Sequence, residues 1–400
     1  MEIYFLHPKF NVLGGAEQVL LILCKELSLK GHVVKLITEE KYLDSKINIP
    51  VPLIKLRTRN IIALGSKKFK SRVFGQVISN YLTEGSILCA QNFPSYWWMY
   101  EATRSYEKRI NTVLFCHEPS RSWYFHKTDK ELINFTKKDP KCINPNLLKH
   151  VRKRLKKINN KKTKKNREFD RKIVESIKLL ISNSGLTSQN IISVWGIKSK
   201  ICHPSTIYDV RNDCQNFTKR EGIVFFVTKI LTKNIFGVLD TISILVKQTT
   251  FNQPIHIIGN IQTPKILSYI KKNQLNDFIT VHGFVSDNKK NQILQSVRMC
   301  IYIPFDEPFG LVPIESLSCG TPVVVSNLGG FTEVIKNGKT GIYVNPLNPQ
   351  EVAEVISTYY GDIPKLNAMS KAGLELVQNN HLVKHFVDTF ESYLEEVVSN

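Results

Sequence analysis

Two acids eight positions apart, Glu307 and Glu315, bracket the stretch Glu307-Pro-Phe-Gly-Leu-Val-Pro-Ile-Glu315. The apolar run MCIYIP precedes it, so a strand ends near Pro304 and the turn carries Glu307. A helix then starts near Gly310, with Pro313 tolerated in its first turn. A helix start leaves the N–H groups of Leu311 and Val312 open to an anion. Gly320 reads as the left-handed cap that stops the helix before the next strand. Carboxylates accept hydrogen bonds from vicinal hydroxyls, so one acid before the helix and one inside it suit a sugar nucleotide: hexose hydroxyls at one, ribose at the other, phosphate between. The plain alternative is a surface loop acid and a helix-face acid.

Two further stretches place chemistry at strand ends. In LGGAE, Gly14 and Gly15 follow the first apolar run and open the first helix, where paired glycines let the backbone approach a phosphate. In FCHEP, a strand ends in His117, then Glu118 and a proline that stops the pairing. Side chains at the carboxyl ends of parallel strands line the ligand crevice.

The elements that must hold these residues are legible as short apolar runs separated by helical patterns. EIYFLH, VVKLIT, SILCAQ, TVLFCHE and KLLISNS form one series; Val19, Leu20, Leu23 and Leu27 lie at helical spacing between the first two, closing at Gly31. The alternation restarts at GIVFFVT and runs through PIHIIGN, FITVHGF, MCIYIPF, PVVVSN and GIYVNP. Both series predict α/β halves with doubly wound, Rossmann-like parallel sheets facing each other across a cleft. The predicted division is 1–205 and 206–400, with the polar stretch Asp209 to Lys219 at the joint and a last helix near 380–400 packing back on the first half.

Composition excludes several classes. With 42% hydrophobic and 22% charged residues, the chain is neither disordered nor fibrous. The N-terminus reads as a buried strand rather than a signal peptide, and no apolar stretch is long enough to span a bilayer, so membrane contact is expected to be peripheral. Eight cysteines without a CxxC pair read as reduced core residues, which points to the cytoplasm and away from zinc. The formal net charge of +21 calls for a polyanion. Half of that excess is local: Lys149 to Lys172 holds 13 Lys and Arg against Glu168 and Asp170, a net of +11. Val151, Leu155 and Ile158 give this part of a basic insertion near 137–172 a thin apolar stripe at helical spacing. It is open to three readings: a solvated insertion, an element attracted to anionic lipid or a diphosphate lipid, and a nucleic-acid contact. Phe169 is the only aromatic between Lys149 and Lys172, which speaks against the last.

Together these motifs resemble the family 4 retaining glycosyltransferases of the GT-B fold, the glycosyl transferases group 1. The resemblance runs over nearly the whole chain: GGAE with GHVV, CHEP, SNS (Ser182 to Ser184), His203-Pro204, HGFVSD, the E-x7-E stretch with CGTPVV, and NGKTGIYV. The CHEP strand end also looks like the branch that elongates lipid-linked oligosaccharides from GDP-mannose. The resemblance implies that Glu307 contacts the transferred hexose and Glu315 the ribose. Gly14, Gly15 and the start of the Gly310, Leu311, Val312 helix face the donor diphosphate, and His117 lies by the reacting centre. The family commonly holds the diphosphate with a Gly-Arg and a Lys about five residues on. Here Lys229 replaces the Arg, Thr228 the Gly, and Lys233 comes four residues later. Lysine lacks the bidentate fork of arginine, which leaves a functional variant with weaker leaving-group stabilisation, a degraded donor site, or two solvated loop lysines.

The implied reaction moves a hexose, mannose from GDP-mannose favoured, from a nucleoside diphosphate sugar to a glycan or lipid-linked hydroxyl with retention. A UDP-sugar donor is the alternative. No cofactor or metal is expected, since the cations and helix amides can stabilise the leaving group and no DxD or His/Cys cluster is present. The expected setting is the cytoplasmic face of a membrane, with no nucleic acid as partner. A sugar-nucleotide epimerase, a nucleic-acid-binding protein and a silent partner subunit are the competing classes.

Overall fold

The computed structural model describes residues 1–57, 66–106, 108–138, 145–206, 217–227, 233–248 and 251–399. The chain divides into two compact units. The first comprises Met1–His126, Arg154–Ser205 and Val383–Asn400; the second comprises Lys127–Lys153 and Thr206–Leu382.

The first unit is built on β1 (Glu2–His7), β2 (Val33–Glu39), β3 (Leu53–Leu56), β4 (Ile87–Gln91), β5 (Asn111–Cys116), β6 (Leu179–Ser182) and β7 (Lys200–Ile201). They form one parallel sheet in the order β3-β2-β1-β4-β5-β6-β7. The order reverses direction at β1, and that switch point opens a crevice at the carboxyl ends of the strands. Strands β3 and β7 are not anticipated by the sequence, being short and at the sheet edges. The apolar runs expected as strands do pair; both faces of a parallel sheet are covered, so its strands are apolar throughout. Its helices are α1 (Gly15–Leu29), α2 (Lys67–Ser79), α3 (Ser95–Arg104), the end of α5 (Pro145–Ile158), α6 (Lys161–Glu175) and α7 (Gly185–Trp195), while α4 (Lys127–Lys138) and the start of α5 fall in the second unit.

Helix α6 carries much of the basic segment, yet it is not a loose insertion. Thr163, Asp170, Ile173 and Val174 are buried. The carboxylate of Asp170 accepts four hydrogen bonds, from Tyr96 Oη (2.7 Å), Trp97 Nε1 (2.8 Å), Tyr124 Oη (2.7 Å) and Trp195 Nε1 (3.0 Å). Burial pushes its carboxyl above the ordinary aspartate value although all four donors pull the other way. One acid thereby fastens the basic helix to α3, α7 and the loop after β5.

The second unit holds β8 (Ile223–Phe226), β9 (Ile255–Ile258), β10 (Ile279–Gly283), β11 (Met299–Tyr302), β12 (Val323–Ser326) and β13 (Gly341–Val344), parallel in the order β10-β9-β8-β11-β12-β13. Here the switch falls between β8 and β11. Helices α8 (Ile235–Gln248), α9 (Pro264–Lys272), α10 (Asp287–Ser296), α11 (Leu311–Ser318), α12 (Pro349–Tyr360) and α13 (Ile363–Asn380) cover it. Of the expected joint, 209–216 lie outside the described residues, while Phe217–Lys219 make a short 3-10 turn whose Phe217 is buried in the core. The final helix, α14 (Val383–Ser399), belongs to the first unit: Phe390 stacks near Phe5 and Phe115, with ring centroids 6.2 and 5.2 Å away. Cys24, Cys89, Cys116, Cys202, Cys300 and Cys319 are buried free thiols; Cys142 and Cys214 lie outside the described residues.

Candidate functional site

In the second unit, β11 ends at Tyr302 and the chain turns through Glu307 before α11 begins at Leu311. Gly310, directly before the helix, has φ +88°, and a Cβ there would come within 2.8 Å of the Phe331 ring. Gly330 N–H donates to Glu307 O (2.9 Å), and a Cβ on Gly330 would strike Pro308 O at 1.9 Å. Only glycine at these two points lets the Glu307 turn lie so close to the Gly329–Gly330 loop. The Glu307 carboxylate accepts from Tyr302 Oη and pairs with Lys233 Nζ. Burial and then the Glu307 charge push the Tyr302 phenol well above its ordinary value, so it stays a donor.

Lys233 is aimed by its neighbour. Asn234, at φ +59°, donates from Nδ2 to Ile303 O (3.0 Å) and Pro346 O (2.8 Å), which ties the start of α8 to the ends of β11 and β13. Asparagine tolerates this left-handed conformation better than most residues. Lys229 lies outside the described residues.

Eight residues on from Glu307, Glu315 is buried inside α11 and pairs with Lys290 Nζ at 2.9 Å; Lys290 also lies 3.3 Å from Asp287. Burial raises the Glu315 carboxyl above its ordinary value, the Lys290 charge and bond oppose this, and Asp287 adds to it. The two acids are thus brought to one strand–turn–helix but each is matched to a separate lysine. Leu311 and Val312 form the first turn of α11, whose N–H groups have no partner within the helix. Gly320 has φ +65°, the left-handed stop read from the sequence. Beside the helix, buried Arg220 donates to Cys319 O, Gly320 O and Thr321 Oγ1. At the end of β10, His282 Nε2 lies 3.1 Å from His256 Nδ1, and Phe284 is 74% exposed.

In the first unit, the expected residues meet at the carboxyl ends of β1, β4 and β5. Gly14 precedes α1 and Gly15 opens it. Glu17, in the first turn, accepts from Gly14 N–H (3.0 Å) and lies 3.0 Å from His7 Nε2. Burial raises the Glu17 carboxyl, but the bonds from His7 and Gly14 outweigh it and leave the value lowered. His117, just past β5, stands 3.3 Å from Gln91 Oε1 through Nε2. Its pKa is pushed down to about 3, first by burial and then by the His7 charge, with Glu17 opposing. It is therefore a neutral ring that donates to Gln91. His7 Nδ1 and Gln91 Nε2 are buried with no hydrogen-bond partner among the described residues.

His7, Gln91, Tyr302, Asn234, Lys290 and Arg220 escape a reading of the sequence. Two of them carry a signal: His7 and Gln91 are polar residues closing otherwise apolar strands at the switch-point edge. Lys290 and Asn234 sit in polar surroundings along the chain and give none.

Residues 212–376 match the glycosyl transferases group 1 family. A D-inositol 3-phosphate glycosyltransferase of Paenarthrobacter aurescens is 29% identical over 144 residues, 35% of each chain. An alpha-1,3/1,6-mannosyltransferase alg-2 of Neurospora crassa is 30% identical over 115 residues, 28% of this chain and 24% of that one. Such alignments span about a third or less of those relatives' length. In fold the likeness runs along the whole chain: the structure of Anabaena Alr3699/HepE in complex with UDP and glucose superposes with a TM-score of 0.72 over 99% of this chain and 100% of that chain, at 16% identity. With this match and this fold, the chain has a GT-B fold in which residues 212–376 resemble the glycosyl transferases group 1 family.

Proposed function

We propose that the protein is a retaining glycosyltransferase that moves a hexose from a nucleoside diphosphate sugar to an acceptor hydroxyl. The observation that carries this reading is the Lys233–Glu307–Tyr302 cluster directly before the open amides of α11. An acid held by a phenol and a lysine can take hexose hydroxyls, while the lysine and the amides of Leu311 and Val312 receive the diphosphate. Glu315 accepts the ribose hydroxyls. Lys229 is a second cation on the leaving group in this scheme. As that group departs, its developing charge is met by cations and dipoles already in place, and no metal is required. His117, neutral and fixed by Gln91, donates to or accepts from the sugar rather than carrying charge.

Mannose from GDP-mannose is the favoured donor, in keeping with the mannosyltransferase relatives, and a lipid-linked or other glycan the acceptor. The basic segment gives peripheral contact with an anionic membrane at its cytoplasmic face. A UDP-sugar donor is the second reading, favoured by the fold neighbour crystallised with UDP and glucose. A thermal-shift screen with GDP, UDP and ADP separates the two, because a ligand at 100 times its Kd stabilises by about 2.7 kcal/mol. Incubation with the stabilising nucleotide's sugar and an acceptor, with and without EDTA, then tests transfer. No shift with any nucleotide would overturn the reading, and abolition by EDTA would overturn its metal independence.

A further inference from the structure

Three lysines of the first unit are linked through shared neighbours. Lys9 follows the end of β1, Lys67 opens α2, and Lys157 lies in the last turn of α5; among the described residues none of the three pairs with an acid. Their positions are linked through fixed groups. The Lys67 ammonium lies over two rings, 4.8 Å from the centroid of Phe93 and 5.7 Å from that of Trp123, and these rings pack edge to face at 4.4 Å. The loop carrying Trp123 is bound to α5: Arg154 donates to Arg121 O and Tyr124 O, both at 3.1 Å. Lys157 is three residues beyond Arg154 and so lies on the same side of the helix. From the other direction, Lys9 and Lys70 share the Tyr42 ring, at 4.7 and 5.9 Å, and Lys70 is one turn from Lys67. Lys70 pairs with Glu39, whereas the other three pair with no acid among the described residues.

Phe93 and Trp123 follow β4 and β5, so the group lies along the carboxyl edge of the sheet, where Gly14 and His117 also stand. Like charges gathered at a ligand edge, one of them against aromatic rings, are a standing cost that an anion would remove. Loss of water around the ammonium, and then the charges of Lys157 and Lys9, hold Lys67 below the ordinary lysine value. The outward side of α6, with its exposed Lys164, Lys165 and Lys172, offers a flat membrane charge alone, whereas Lys67, also exposed, lies over two aromatic rings.

We propose that Lys9, Lys67 and Lys157, with Phe93 and Trp123 as an apolar wall, bind a phosphate or diphosphate group carried by the acceptor. The proposal rests on the glycosyltransferase reading for the word acceptor, but the anion site itself does not. A phosphate monoester or diphosphate presents several oxygens to three ammonium groups, and the rings cover the adjoining carbon chain or sugar face.

Calorimetric titration of the whole protein, with its nucleotide site saturated, tests this with inorganic diphosphate, geranyl diphosphate and glucose 1-phosphate as probes. Saturable, salt-sensitive binding is expected. Each of Lys9→Gln, Lys67→Gln and Lys157→Gln should weaken it about tenfold, the scale of one charged hydrogen bond, with nucleotide affinity and circular dichroism unchanged. Tighter binding of geranyl diphosphate assigns the anion to a lipid carrier; equal binding assigns it to a soluble phosphate. A triple variant that binds every probe like the wild type overturns the proposal. So does a wild type that ignores all three probes while binding phosphatidylglycerol vesicles. If no nucleotide binds but the lysine variants still lose diphosphate, the glycosyltransferase reading falls and the anion site stands.

Discussion

The two units place polar groups at the same edge of the same kind of sheet, yet they treat charge in opposite ways. In the second, each acid has its own lysine, Glu307 with Lys233 and Glu315 with Lys290. In the first, beside the pair His7–Glu17, His117 is held uncharged against Gln91, and among the described residues His7 Nδ1 and Gln91 Nε2 are left without partners. A lysine that already holds an acid can be handed to a phosphate when a sugar takes over that acid. Pre-paired charge thus keeps the empty site from bearing a bare buried ion. Orphaned polar atoms of this kind can orient an uncharged hydroxyl.

The largest effect should come from breaking the charged side. Glu307→Ala removes the acid proposed for the hexose and strands Lys233 and Tyr302, and transfer should fall by about 100-fold or more with the fold intact. Steady-state turnover and circular dichroism check it; near-normal turnover would remove Glu307 from the site. Lys233→Ala should slow the chemical step by roughly 100-fold. Because the two residues are paired, the double variant should lose much less than the product of the single losses. Strict additivity would mean that the pair is a surface contact and that the diphosphate lies elsewhere.

Glu315→Ala sharpens the division inside the second unit. Loss of a buried carboxylate that takes two hydroxyls should weaken nucleotide binding by roughly 2 to 3 kcal/mol, with a smaller change in turnover of bound substrate. Lys290 is left with Asp287, so the variant should still fold. Equilibrium titration with the free nucleotide separates this from a catalytic defect. Unchanged affinity would assign the ribose to another group.

The charged side was the more legible in sequence, and the reason is local. Glu307, Gly310, Glu315 and Gly320 belong to one strand–turn–helix, so their spacing encodes their geometry. The lysine of each pair comes from far along the chain, 74 residues away for Lys233 and 25 for Lys290, and only the sheet order brings them in. The same holds for Gln91 and His117, 26 residues apart but on neighbouring strands. The strands themselves could be read because buried parallel strands are continuous apolar runs. Edge strands β3 and β7, four and two residues long, offer no such run. Asp170 shows how a charge count misleads: in a net it is one of two acids among many lysines, whereas at helical spacing from Ile173, Val174 and Ile177 it falls on the buried stripe. That register, not the charge, marks it as a core residue.

The smallest effect tests whether the first unit is neutral as described. His117 has its pKa pushed down from 6.5 to about 3, so between those values the unfolded chain binds a proton that the folded chain refuses. Stability then rises with pH across that window and falls as pH drops below about 6.5. One such histidine withdraws roughly 1 kcal/mol by pH 5.5. His126 is pushed down to about 3 as well, chiefly by burial, and draws stability the same way in wild type and variant alike. His117→Gln keeps a polar group of similar reach beside Gln91 but cannot take the proton. Urea unfolding at pH 7.5 and pH 5.5 should therefore show a smaller loss for the variant than for the wild type, by about 1 kcal/mol. Equal losses would mean that His117 takes up its proton in the folded state near the ordinary pH, beside His7 and Glu17. The first unit would then carry charge at its centre, and the contrast with the lysine-paired acids of the second would vanish.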